Sequence, residues 1–443
     1  MSQKKGNVFA IAIMFFLFGM ISFVTGLQNP MGVIVKAQFG ASNFMSQLGN
    51  AANFIAYAFL GLPAGMILKK RGYKVTALAA VAVGFIGVGI SFLSGVLGSF
   101  AVYLTGAFVS GFSMCMLNTV VNPMLNTLGG GGNKGNQLIQ LGGSFNSLCA
   151  TIVPVLVGYL IGEASQATIS NANPALFIAM GVFALAFVII LVSDIPEPEL
   201  EAAKKEYEEA AKSGKPVAAN EGMMASLGHL FGYRHFVFGI IAIFVYVGVE
   251  VGIPNFVNIY LTTPEAAGGC GVAASVAGAV VGIYWLLMLV GRLVGGAVGG
   301  KVSSRAMMIG VSSVAIVLLL LGMFLPNTMV EFPSVTSELK FAMAEIPLNV
   351  VFFILCGLCT SIMWGAIFNL SVEGLGKYTS LASGVFMMLV CGGGILPLVQ
   401  GAVADATSII SGYWVVVAAV AYMLLFALFL SKPQAEKVVK EVE

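Results

Sequence analysis

Not one aspartate or glutamate precedes Glu163 in this chain of 443 residues, and Asp, Glu, Lys and Arg together make up only 9% of it, against 58% hydrophobic residues. Charge this sparse excludes an ordinary water-soluble globular protein and a basic face for nucleic acid. Histidine is nearly absent: His229 and His235 flank one hydrophilic stretch, so no cluster has metal-ligand spacing. Of six cysteines, Cys115, Cys149, Cys356, Cys359 and Cys391 lie in apolar runs and Cys270 near the end of one, which gives no disulfide framework. Cys356 and Cys359 have the spacing of a redox pair, but a lipid-buried helix offers nothing to stabilise a thiolate, and they read as packing residues. The glycines from Gly129 to Gly132 precede Asn133 and Lys134 without the Lys-Ser or Lys-Thr ending of a phosphate loop. No enzyme signature and no cofactor site is legible.

What the chain has is apolar length. Windows able to cross roughly 30 Å of hydrocarbon recur near 8–35, 44–68, 75–97, 100–127, 138–161, 173–193, 236–262, 272–299, 306–325, 346–372, 380–403 and 409–430. The long hydrophilic stretch from Asp194 to Leu230 splits them evenly. An all-α membrane protein is expected, with twelve transmembrane helices in two six-helix bundles. Residues 1–193 form the first bundle, 194–233 a linker, and 234–443 the second bundle with a short tail. The start, Lys4 and Lys5 before an apolar run, resembles a signal peptide; no A-x-A-like cleavage site follows, so it reads as a retained first helix.

Lysine and arginine cluster at the N-terminus, at Lys69 to Arg71 with Lys74, at Lys134, in the middle stretch, at Lys301 with Arg305, at Lys377 and in the tail. Twelve spans put all of these on one side, which the positive-inside rule makes cytoplasmic, with both termini. The second predicted span ends in Pro63-Ala-Gly65 before the KKRGYK cluster, and the eighth in Gly291-Arg292 and small residues before Lys301. Like endings in the two halves suit two bundles rocking about a central site, with Arg71 and Arg292 as gating residues.

An ionisable group within a span is expensive, and among the acids only Glu250 lies deep in one. Gly252 and Pro254 follow it and should loosen the helix there, the pattern of an ion or substrate site; the plainer reading is a hydrogen-bonded acid that ties helices together. No buried lysine partner is apparent. Uncharged polar groups gather in the first half: Gln28 and Asn29, Asn118 and Asn122 one helical turn apart, Gln140 and Asn146. Such amides suit several hydroxyls of a sugar, or serve as glue between helices. In the second half Asn255, Asn258, Tyr284, Trp285, Trp364 and Asn369 would complete a cavity, with an aromatic face against a sugar ring or, for Trp285, a place in the interfacial belt. Lys36 reads as snorkelling to the interface.

Several stretches resemble the fucose, galactose and glucose symporter family of the major facilitator superfamily: NFMSQLGNAANFIAYAFLGLPAGMILKKRGYK (43–74), LNTVVNPMLNTLG (117–129), GSFNSL (143–148), YVGVEVG (246–252), IFNLSVEGLG (367–376) and CGGGILPLVQGAVAD (391–405). The resemblance implies the major facilitator fold and sugar transport. It also implies a protonatable Asp on helix one and a Glu on helix four, where this chain has Asn29 and Asn118, and Gly143 and Ser144 replace part of a Gln-containing stretch. Proton symport through Glu250, sodium symport with Glu250 as anionic ligand, and uncoupled transport therefore all stay open.

The expectation is a monomeric, multi-pass inner-membrane transporter taking up a small neutral sugar, a hexose or deoxyhexose. Gln28, Asn29, Asn118, Asn122, Asn146, Asn255, Trp364 and Asn369 would contact substrate, and Glu250 would hold Na+ or H+. Efflux of an amphipathic compound, kept open by the 22 methionines, and a membrane sugar sensor are the competing readings.

Overall fold

The computed structural model describes residues 2–129, 132–161, 168–197, 200–201, 223–298, 302–335, 340–375 and 378–432. With no water to satisfy a bare backbone inside hydrocarbon, apolar windows of this length must form helices. Among the described residues twelve are long and apolar enough to span: α1 (Val8–Phe39), α2 (Leu48–Leu68), α3 (Lys70–Leu97), α4 (Phe100–Leu125), α5 (Leu141–Leu160), α6 (Ile169–Val192), α7 (Arg234–Thr262), α8 (Ala274–Gly295), α9 (Ser304–Phe324), α10 (Leu348–Val372), α11 (Gly384–Ala406) and α12 (Tyr413–Leu430).

The helices are interrupted at informative places. α1 breaks at Leu27, between Gly26 and a second segment, Gln28–Phe39. α7 does not break: it runs as one helix from Arg234 to Thr262 with Pro254 inside, contrary to the loosening expected after Glu250. The discontinuity near that acid lies instead in α10, which ends at Thr360 and restarts at Met363. The segment between the ninth and tenth apolar windows holds a hairpin, β1 (Met329–Val335) and β2 (Phe341–Pro347), antiparallel from Met329 opposite Pro347 to Val335 opposite Phe341. A search for long apolar windows overlooks seven-residue strands whose side chains alternate between faces.

Just inside the bounds of α3 the chain turns at Gly72, whose φ of 81° lies in the left-handed region, and the regular helix restarts after it. Glu197, past the end of α6, accepts the Tyr73 N–H at 2.6 Å and the Lys74 N–H at 2.9 Å, a carboxylate on the unpaired amides of a helix start. Lys74 Nζ donates to the Ser193 carbonyl at 2.7 Å. These contacts of the basic cluster stay among the first six helices, and Arg71 itself is exposed.

The two sets of six helices meet along two seams. In one, α5 lies against α8 so closely that a Cβ on Gly278 would sit 2.3 Å from the Pro154 carbonyl oxygen, an approach open only to glycine. In the other, α2 and the short helix before it (Asn43–Ser46) lie against α11, where a Cβ on Gly394 would sit 2.7 Å from Ala51 Cα.

Candidate functional site

Pro254 has no N–H to give the carbonyl four residues earlier, so the Glu250 carbonyl in mid-membrane needs another donor. Tyr284 of α8 supplies it: its hydroxyl donates to the Glu250 carbonyl at 3.2 Å and lies 3.1 Å from Thr360 Oγ1, at the break in α10. The Tyr246 hydroxyl, one helical turn before the acid on α7, donates to the Thr360 carbonyl at 3.1 Å. α7, α8 and α10 are thus stitched together around one acid. The continuous α7 is explained by this outside donor, a provision that adjacent sequence does not reveal.

The carboxylate has a partner. Arg292 Nη2 stands 3.3 Å from Glu250 Oε1, and the side chains keep 16% and 14% of their surface exposed. Arg292 also reaches the other half, where Nη1 donates to the Gly143 carbonyl at 2.9 Å and to Ser147 Oγ at 2.7 Å on α5. Arg292, expected as a gating residue, thus reaches the acid and the other half at once. Removing one member of such a pair strands the other charge, at a cost of about 3–5 kcal/mol when fully buried and less where water still reaches.

The amides fall into different settings. Asn118 donates to the Tyr57 hydroxyl at 3.0 Å and to the Met114 carbonyl at 3.1 Å, Asn122 to the Asn118 carbonyl at 3.0 Å, and Asn146 to the Phe18 carbonyl at 2.9 Å. All three are half-buried, and these bonds engage the amide nitrogen of each rather than its oxygen. Trp364 is half-buried, with its ring edge-on to Tyr246 at 6.1 Å, which links it to the Glu250 cluster. Asn369 is exposed near the end of α10. Gln28 and Asn29 open the second segment of α1, and their side chains, like that of Gln140, lie outside the described residues.

Asn255 is almost fully buried and donates to Gln47 Oε1 of the other half at 2.9 Å, part of a closure on the side away from the basic loops. Lys36 donates to Asn43 Oδ1 at 2.7 Å and to Thr263 Oγ1 at 2.9 Å, so it bridges the halves rather than snorkelling. Asp405 accepts the Asn43 N–H at 2.8 Å and the Phe44 N–H at 2.9 Å, so that the end of α11 caps a short helix of the first half. Sequence reasoning missed Gln47, Tyr57, Ser147, Tyr246 and Thr360. A signal existed for the first two, since Gln47, Asn50, Asn53 and Tyr57 recur at helical spacing, as a polar stripe would.

Among the described residues no group of three or more His, Cys, Asp and Glu could hold a metal ion. The cluster gathers hydroxyls, amides and, among the described residues, one ion pair that keeps some exposed surface, groups suited to gripping a hydroxylated solute and exchanging a small cation.

Comparison with known proteins adds to this geometry. The Major Facilitator Superfamily profile matches residues 11–396. A glucose/galactose transporter of Brucella abortus is 30% identical over 434 residues, 97% of this chain and 96% of that one. The L-fucose-proton symporter of Escherichia coli is 23% identical over 425 residues, 91% and 89% of the two chains. In fold, the crystal structure of the superfamily transporter FucP in the outward conformation matches with a TM-score of 0.66 at 20% identity, covering 96% of this chain and 100% of that one.

Proposed function

Since this chain belongs to the Major Facilitator Superfamily, we propose that it takes up a neutral hexose of the glucose or galactose kind by alternating access, driven by a cation held at Glu250. The observation that carries the reading is the placing of the one acid deep within a span, not fully enclosed, where the hydroxyls of Tyr246 and Tyr284 tie three helices together. An acid retained at such a place is functional by default. The names of the relatives supply the substrate class. Asn29 and Asn118 stand where the resemblance implies acids and cannot carry a proton, which leaves coupling to Glu250.

The side bearing the basic loops is cytoplasmic on this reading, in the inner membrane. The described state is then closed to the outside by Lys36, Asp405 and the Gln47–Asn255 pair. Sugar leaves toward the cytoplasm past Asn118, Asn122, Asn146 and Trp364, the amides reading hydroxyls and the indole lying against the ring face. Gln28, Asn29 and Asn369 extend the path, and the protein works as a monomer.

Proteoliposomes test this with radiolabelled D-glucose, D-galactose and L-fucose under separately imposed sodium and proton gradients. One sugar should accumulate under one gradient. Glu250→Gln should abolish accumulation while sparing counterflow, and unchanged accumulation removes Glu250 from coupling. Uncoupled transport is the second reading, favoured by the fact that Glu250 already has an internal counter-ion in Arg292.

A further inference from the structure

We propose that Arg292 is the internal cation that takes the driving ion's place on Glu250, so that the empty carrier can return; this rests on Glu250 being the coupling site. Three contacts argue for it together. Arg292 is the one residue described that touches the acid with a full charge, at 3.3 Å. It holds to α5 independently, through the Gly143 carbonyl and Ser147 Oγ, both on Nη1. The bond to Glu250 uses Nη2 alone. A guanidinium has five donors, so Nη2 can give up the carboxylate while Nη1 stays anchored across the interface. Both side chains keep some exposed surface, which gives an arriving ion a path and the released guanidinium water to face.

The exchange balances in charge at the acid. When H+ or Na+ binds Glu250, the carboxylate is neutralised and Arg292 swings off it, still held by α5. When the ion leaves to the water of the chamber, the guanidinium returns and neutralises the carboxylate again. In neither state does a bare carboxylate have to cross the closed intermediate. Arg292 bonds α5 from α8 while pairing with α7, so the state of Glu250 is felt where the halves meet. Arg292 is therefore a positioning residue that also sets how tightly the driving ion is held.

The measurement compares net uptake with exchange, in the same proteoliposomes and with radiolabelled D-glucose and D-galactose. Arg292→Gln should lower net uptake at least tenfold, because the empty carrier can no longer return. Exchange at saturating driving ion, which never needs the empty form, should stay within about threefold of wild type. The ion concentration for half-maximal exchange should fall, as the internal competitor is gone. The double variant Glu250→Gln/Arg292→Gln should regain downhill net flux without accumulation.

A second readout needs no sugar. With the six native cysteines replaced by alanine, Ser275→Cys places a thiol where α8 meets Gly158 of α5, buried in the closed state. A membrane-impermeant maleimide added outside should label it as the empty carrier cycles, with the rate changed at least fivefold by Arg292→Gln and restored in the double variant. Equal loss of exchange and net uptake in folded Arg292→Gln, or unchanged labelling, overturns the proposal. Accumulation surviving in Glu250→Gln overturns instead the reading on which it rests.

Discussion

The two seams between the halves are built from different materials. Along α5 and α8 the contact is glycine against backbone carbonyl, at Gly158, Gly278 and Gly282, with Arg292 of α8 bonded to Gly143 and Ser147 toward its far end. Along α2 and α11 glycine also meets backbone, Gly394 at Ala51 and Gly401 at Phe44, but hydrogen bonds are added: Asn50 donates to the Gly393 carbonyl at 2.7 Å, and Asp405 caps the helix start at Asn43 and Phe44. The first seam depends on shape, which tolerates no added atom. The second adds hydrogen bonds to such packing, and water can replace them when the seam opens. Moving parts of the first kind guide a motion, and those of the second kind set how long one end of it lasts.

The sharpest way to break this contrast is to add bulk to the carbonyl seam. Gly278→Leu puts atoms where the Pro154 carbonyl stands 2.3 Å from a bare Cβ. It should lower sugar uptake at least fiftyfold with the protein still in the membrane, and it should leave Ser275→Cys open to outside maleimide. Loss of charge from the polar seam should do less. Asp405→Ala removes the acceptor of two backbone bonds, each worth about 1.5–3 kcal/mol when charge-assisted. Labelling of Ser275→Cys should rise at least tenfold while exchange persists.

Lys36→Met should follow with a rise of about fivefold, since losing its two bonds is partly offset by no longer burying an ammonium ion. Asn255→Ala is expected to have the smallest effect, about 1 kcal/mol or roughly fivefold, since its bond to Gln47 is between neutral groups. The order would reverse if both seams were merely glue: the polar variants would then cost thermal stability, read by loss of monodisperse protein on heating, and leave labelling alone.

Much of the architecture was legible because lipid imposes one solution on long apolar windows, and the spans read from sequence lie close to those of the structure. The hairpin was not legible by that signal, since Met329–Val335 and Phe341–Pro347 are short and alternate. Glu250 stood out because charge in a span is rare. Its pairing with Arg292 did not, because a side chain near a helix end can lie along either of two directions and only packing decides which. The amides were visible as residue types, yet Asn255 turned out to be committed across the interface to Gln47, a choice made by tertiary contact. Lys36 was assigned to the interface by its chemistry alone, and the acceptors Asn43 and Thr263 could only be found in space.

The proline at position 254 leaves one carbonyl in α7 that no amide of its own helix can reach, and Tyr284 of α8 closes it. Mechanically this is a clasp. While the phenol holds, α7 behaves as a stiff rod, and a turn of α8 is delivered to the acid-bearing segment through a single O–H. Once it lets go, the rod acquires a joint at the level of the acid, and the two helices become separate pieces. A hydroxyl hidden from sugar and ion alike thereby decides whether α7 travels as one body or bends, and Tyr284→Phe would free the joint without altering the shape of the chamber wall.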